Sequence, residues 1–205
     1  MTIPKKLLTA EDFWCLPSSD GRTELIDGEV METMPPGGEH NYIMGELTIR
    51  LGSYVRTNGL GVVLPGDTGI ILARDPDRVR GPDLCFIARD RLPGGKVPRG
   101  YLEMIPDLIV EIVSPNDRAA EIQAKTEEWL RAGARLVWAM YPTTRTVVAA
   151  QGLGAVRVYH ESDTVTGDPV LPGFTLPVAE LFASCSGDAV TLPHGRHSRY
   201  AVTGS

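Results

Sequence analysis

Residues 105–115 read IPDLIVEIVSP, and the fold turns on how Glu111 is read within them. Leu108, Ile109, Val110, Ile112 and Val113 form the near-continuous apolar run of a strand covered on both faces. Glu111 is the one member that resists burial. An unpaired carboxylate in a core is costly or takes up a proton. The strand therefore either ends at the surface or supplies Glu111 with a partner.

Downstream of this run, Ile122, Thr126, Trp129 and Leu130 recur at helical spacing. They predict an amphipathic helix from about Arg118 to Ala132, stopped by Gly133. Lys125 lies three residues after Ile122 and four before Trp129, which places it on the face that packs against the sheet. An inward lysine one short loop after an inward glutamate is a pair that could satisfy each other. The alternative is a lysine that snorkels past Trp129 to water.

Upstream, DLCFIA (83–88) reads as a strand whose start is fixed by Pro82, with Asp83 on the face of Cys85 and Ile87. An aspartate after proline at a strand start is also an ordinary turn or cap residue. GVVLP (61–65) and GIILA (69–73) read as further strands, with Asp75-Pro76-Asp77 as the turn between GIILA and DLCFIA. The loop DRLPGGKVPRG (90–100) follows. From His40 to Thr57, Ile43, Met44, Leu47, Leu51, Tyr54 and Val55 keep helical spacing until Asn58-Gly59, and His40 opens that stripe. It is the longest helix expected, and His40 could equally be a first-turn residue with a satisfied imidazole.

In RTELIDGEVMETM (22–34) Asp27-Gly28 marks a hairpin turn, and Glu24 shares a strand face with Ile26. Thr9 caps a short helix closed by Pro17. Beyond the second helix, ARLVWAMY (134–141), RTVVAA (145–150) and VRVYHE (156–161) are successive strands, and PGFTLPVAELF (172–182) closes the chain with an extended piece and a helical turn. The order of elements gives a mixed α/β (α+β) domain. We expect one domain over residues 1–185 and a loosely held polar tail over 186–205.

The 205 residues, 42% of them hydrophobic, suffice for one sizeable core. No apolar run approaches the roughly 20 residues that cross a bilayer, and MTIPKKLLTAEDFW lacks the features of a signal peptide. A cytoplasmic protein without a membrane partner is expected. Cys15, Cys85 and Cys185 are too few and too far apart for a disulfide framework or a zinc signature. The net charge of −6 and pI ≈ 5.2 argue against broad attraction to nucleic acid, although a local cleft can be basic or metal-loaded. Dinucleotide and P-loop motifs are absent, and Ser114 and Ser186 lack a nucleophile elbow. His194 and His197 fall in the tail.

Glu24, His40, Asp83, Glu111 and Lys125 thus all interrupt positions that should face a core, and such local conflicts gather at functional sites. The chemistry they suit is hydrolysis with a divalent metal. Two carboxylates hold magnesium, with waters and substrate phosphate completing the shell, while a lysine orients water and balances charge growing on phosphorus.

ELIDGE (24–29), His40 opening a helix, GPDL (81–84), PDLIVEIVSP with Lys125 ten residues after Pro115, GARLVWAMYP (133–142) and LPGFTLPVAELF (171–182) occur in that order. Together they resemble the Uma-type restriction endonuclease family of the PD-(D/E)XK nuclease superfamily, over about residues 7–182. The resemblance implies a restriction-endonuclease-like central mixed sheet flanked by helices. It further implies an Mg²⁺-dependent endonuclease acting on DNA, with Mn²⁺ as a substitute, and a homodimer. Asp83 takes the place of the PD aspartate and Glu111 that of the acidic residue in (D/E)XK, both as metal ligands. Two residues after Glu111 stands Val113 rather than lysine, and Lys125 takes the lysine's place from the helix. Glu24 matches a position that would contact metal-bound water, and His40 one that would contact substrate or support the site. Two other readings stay open: a catalytically silent nucleic-acid or protein-binding module of this fold, and a metal-dependent hydrolase of another phosphoester.

Overall fold

The computed structural model describes residues 7–17 and 21–183. Along the chain run α1 (Ala10–Trp14), β1 (Arg22–Ile26), β2 (Glu29–Thr33), α2 (Gly38–Thr57), β3 (Gly61–Pro65), β4 (Ile70–Ala73), β5 (Arg78–Arg80) and β6 (Leu84–Ala88). There follow β7 (Leu108–Ile112), α3 (Ala119–Ala132), β8 (Leu136–Tyr141), β9 (Thr146–Gln151), β10 (Ala155–Tyr159), β11 (Thr164–Thr166), β12 (Thr175–Pro177) and α4 (Val178–Leu181). The expected tail over 186–205, with Ser186, His194 and His197, and also Cys185, lies outside the described residues.

Strand β7 runs through the interior of a six-stranded mixed sheet of order β10-β9-β8-β7-β6-β3 and is buried along its whole length. Its partner β8 is parallel, reached through the α3 crossover, and β6 on the other side is antiparallel. The near-continuous apolar run of β7 follows from this position, because both its faces are covered. On one face, Ile43, Leu47, Leu51 and Val55 of α2 pack on Leu84, Phe86, Leu108, Val110 and Trp138. On the other, Trp129 of α3 joins Cys85, Ile87, Ile109 and Val137, together with Ile70 and Leu102. Each fully buried aliphatic or aromatic side chain contributes about 1.5–3 kcal/mol by area, so the two apolar layers fix α2 and α3 on opposite faces.

A second sheet, of order β2-β1-β5-β4, carries the hairpin. Asp27 and Gly28 both have positive φ, 51° and 77°, the combination that a two-residue turn needs to match strand twist. An added Cβ at Gly28 would come within 2.6 Å of Leu7 Cβ, so both twist and packing require glycine there. Thr9 and Asp12 form a capping box on α1, and Gly133, at φ 117°, ends α3 in a left-handed cap.

Two elements differ from the sequence expectation. The Asp75-Pro76-Asp77 turn joins β4 to the short strand β5, which the sequence reading passed over, rather than to β6. Arg-Val-Arg is too short to show alternation, and only Val79 of the three is buried. Strand β11 was missed for the same reason; it has three residues and pairs only with β12. Among the described residues Cys15 is exposed and Cys85 buried, both as free thiols, and burial pushes the Cys85 thiol up to about 12. No described helix is long and apolar enough to cross a membrane.

Candidate functional site

The antiparallel register of β6 and β7 sets Leu84 opposite Val110. One step further along that ladder, Asp83 faces Glu111 from just before β6. Like charges directly across a ladder destabilise a sheet, and here both are buried, Asp83 at 4% exposure and Glu111 at 5%. The pair persists because the surrounding elements bring donors and cations to it.

Helix α3 supplies two of them. Lys125 Nζ lies 3.0 Å from Glu111 Oε2, and Trp129 Nε1 donates to Glu111 Oε1 at 2.8 Å. Their spacing of four residues lines them up on one helix face. That answers the question posed by the β7 run: Glu111 sits in the core with both oxygens engaged. Lys125 turns inward and does not snorkel, its side chain 20% exposed.

The hairpin and α2 supply the rest. Arg22 Nη1 donates to Asp83 Oδ1 at 2.9 Å, while Arg22 Nε lies 2.6 Å from Asp67 Oδ1. His40, in the first turn of α2, places Nε2 3.2 Å from Asp83 Oδ2. The backbone N–H of Ile112 donates to that same oxygen at 2.6 Å. Glu24 stands 3.7 Å from Lys125 Nζ, accepts from Arg80 Nη1 at 2.7 Å and from the Gly81 N–H at 3.4 Å. Arg80 and Arg78 both hold Glu128 of α3.

All five candidates named from the sequence, Glu24, His40, Asp83, Glu111 and Lys125, therefore meet in one cluster. The sequence reading missed Arg22, Arg80, Asp67 and Glu128, and it took Trp129 only as an apolar contact. Arg22 had a signal, since it alternates with Glu24 along β1.

The electrostatics follow from these contacts. Burial alone would lift the Asp83 carboxyl, but the hydrogen bond and charge of His40, the Ile112 N–H and the charge of Arg22 outweigh it and hold Asp83 below the usual carboxylate value. Burial pushes Glu111 above its ordinary value, reinforced by the charge of Asp83 and opposed by Lys125 and Trp129. Burial disfavours the Lys125 ammonium, yet Glu111 and Glu24 outweigh it and raise the group. Glu111 and Lys125 move the same way because the lysine faces two carboxylates, whereas Glu111 faces one ammonium, a neighbouring carboxylate and a dry environment. His40 is raised too, since Asp83 outweighs the effect of its burial.

Arg22, Glu24, His40, Asp83, Glu111 and Lys125 line a cleft of ≈ 920 Å³ bounded by the Thr33–Gly37 loop and the Ser114–Asp117 loop. Its wall carries six carboxylates against four lysine or arginine side chains and His40. A polyanion would be repelled from such a wall unless cation charge were added. Among the described residues no group of three or more His, Cys, Asp or Glu forms a ready metal cage. Two hard carboxylate donors at neighbouring strands nonetheless fit magnesium, which commonly binds through one or two carboxylates and leaves the rest to water and phosphate.

A family model described as "Uma2: Putative restriction endonuclease" matches residues 10–179. The fold is similar to that of a crystal structure titled as a putative nuclease belonging to DUF820 from Anabaena variabilis ATCC 29413. That likeness has a TM-score of 0.75 and 21% identity over 85% of this chain and 97% of the other. Among curated proteins, none matches the chain.

Proposed function

Since the chain belongs to the Uma2 restriction endonuclease family, we propose that it is an Mg²⁺-dependent endonuclease that hydrolyses phosphodiester bonds in DNA. Asp83 and Glu111 would hold the metal, and Lys125 would act on the attacking water. The observation that carries this reading is the placement of Asp83 across the ladder from Glu111 with the Lys125 ammonium 3.0 Å from Glu111.

When bound, the cation would supply Lewis-acid polarisation of a phosphate oxygen and offset the negative wall of the cleft. Trp129 fixes one oxygen of Glu111, leaving the lysine beside the other. Lys125 remains protonated between Glu111 and Glu24, so it serves as a hydrogen-bond donor and positive charge rather than as a base. From there it orients a water and stabilises the charge growing on phosphorus. The water oxygen bonds to phosphorus, one ester P–O bond breaks, the departing oxygen gains a proton and the attacking water loses one. His40 holds Asp83 from the side opposite Arg22. A second copy of this chain is the expected partner for cutting both strands of a duplex, each copy acting on one strand.

A second reading is favoured by one observation: each oxygen of Asp83 and Glu111 already has a protein donor. A cluster satisfied in this way could persist as the structural core of a DNA-binding or protein-binding module without turnover. Plasmid and short labelled duplexes, incubated with Mg²⁺, Mn²⁺ or EDTA, separate the two readings. Cleavage that EDTA abolishes, and that Asp83→Asn and Lys125→Met each lose with unchanged circular dichroism, is the expected result. Duplex binding without cleavage under every condition would favour the silent module. Turnover only of small phosphodiesters or monoesters would assign another phosphoester.

A further inference from the structure

Asp83 has three donors, shared unequally between its oxygens. Oδ2 accepts the Ile112 N–H at 2.6 Å and has His40 Nε2 3.2 Å away, so it is the more crowded of the two oxygens. Among the described residues Oδ1 receives Arg22 Nη1 alone, at 2.9 Å. A cation joining Asp83 therefore finds more room at Oδ1, where a guanidinium already sits. Two like charges on one oxygen in a buried setting repel strongly.

Arg22 does not depend on Asp83 for its place. Its Nε lies 2.6 Å from Asp67 Oδ1, and its Nη2 donates to the Gly81 carbonyl. Gly81 and Asp67 are themselves in close contact, since a Cβ at 81 would meet the Asp67 Cα at 2.9 Å. The Asp67 side chain is 53% exposed, whereas that of Asp83 is 4% exposed. The guanidinium thus bridges an inner carboxylate and an outer one, at the wall of the cleft.

We propose that Arg22 is a built-in counter-ion that neutralises Asp83 until a divalent cation takes Oδ1, and that the displaced guanidinium, still anchored on Asp67, then holds a non-bridging oxygen of the substrate phosphate. This rests on the metal-dependent reading above. Metal and Arg22 compete for Asp83, and substrate phosphate gives Arg22 a new partner. Phosphate and metal must therefore strengthen each other's binding.

The test is Mn²⁺ affinity, read by electron paramagnetic resonance with and without a non-cleavable phosphorothioate duplex, for wild type, Arg22→Gln, Arg22→Lys and Asp83→Asn. We expect Arg22→Gln to bind Mn²⁺ alone at least about fivefold more tightly than wild type, the lower end of ordinary coupling between sites. The duplex should tighten Mn²⁺ binding in wild type and do so much less in Arg22→Gln. Arg22→Lys keeps the charge and should stay near wild type. Wild-type binding that Asp83→Asn abolishes, but that Arg22→Gln leaves unchanged or weakens, overturns the counter-ion role while the metal reading stands. Mn²⁺ binding to none of the proteins, or binding indifferent to Asp83→Asn, overturns both. If Arg22→Gln does not fold, Mg²⁺ titration of wild type observed at the Arg22 Nε–H resonance decides. A resonance that moves with metal supports the exchange, and one that stays fixed overturns it.

Discussion

The indole N–H of Trp129 donates to Glu111 Oε1 at 2.8 Å, in a part of the core where Trp129 is 0% exposed. Trp129→Phe keeps most of the ring volume and removes that donor, leaving a buried carboxylate oxygen unpaired. An unsatisfied buried acceptor costs about 1–3 kcal/mol, more when charged. Urea unfolding should show a lower midpoint with an unchanged slope. Repeating the exchange in a Glu111→Met background should cost much less, since no acceptor is left. An equal cost in both backgrounds would assign the loss to ring packing instead.

Which parts of this site could be read from the sequence follows from the same geometry. Glu111 and Lys125 stood out because each breaks a pattern long enough to recognise, an apolar strand and an apolar helix stripe. Asp83 and His40 stood out as polar residues at the starts of such patterns. Arg80 and Glu128 were hidden because β5 has three residues and Glu128 lies on a helix that is polar at many positions. Asp67 lies in a loop with φ 46°, and its partner Arg22 is 45 positions away. Nothing local in the sequence links them. The central sheet was legible because its strands are apolar and long, whereas β5 and β11 are held in place by their neighbours rather than by their own composition.

Asp77 joins α1 to the β4–β5 turn. It accepts the Ala10 N–H at 2.7 Å, the Asp75 N–H at 3.2 Å and Arg74 Nη1 at 2.8 Å. At 8% exposure it is buried, with these three donors close around it. Burial would raise the carboxyl, but the two N–H groups and Arg74 outweigh that and lower it. A carboxyl lowered in the folded state contributes stability above the unfolded value near 3.9, and this is lost as pH falls through the folded value. Between about pH 5 and pH 3, wild type should therefore lose more stability than Asp77→Asn. Urea midpoints across that range check it, and parallel curves would remove Asp77 from the acid limb.

Glu24 is the candidate whose geometry separates support from metal contact. One oxygen accepts from Arg80 at 2.7 Å, and the other faces the Gly81 N–H at 3.4 Å and Lys125 at 3.7 Å. Both are thus turned toward protein cations and backbone, so in the proposed mechanism Glu24 would act by holding Lys125 against Glu111. Partners that orient such groups typically account for about 10–100-fold in activity or metal affinity. Glu24→Gln keeps the hydrogen-bonding shape and removes the charge, so metal-dependent cleavage should fall within that range while Mn²⁺ affinity changes little. Asp83→Asn should lose both. Loss of Mn²⁺ binding in Glu24→Gln as complete as in Asp83→Asn would instead make Glu24 a ligand, and would move Lys125's second carboxylate from a support to part of the metal site.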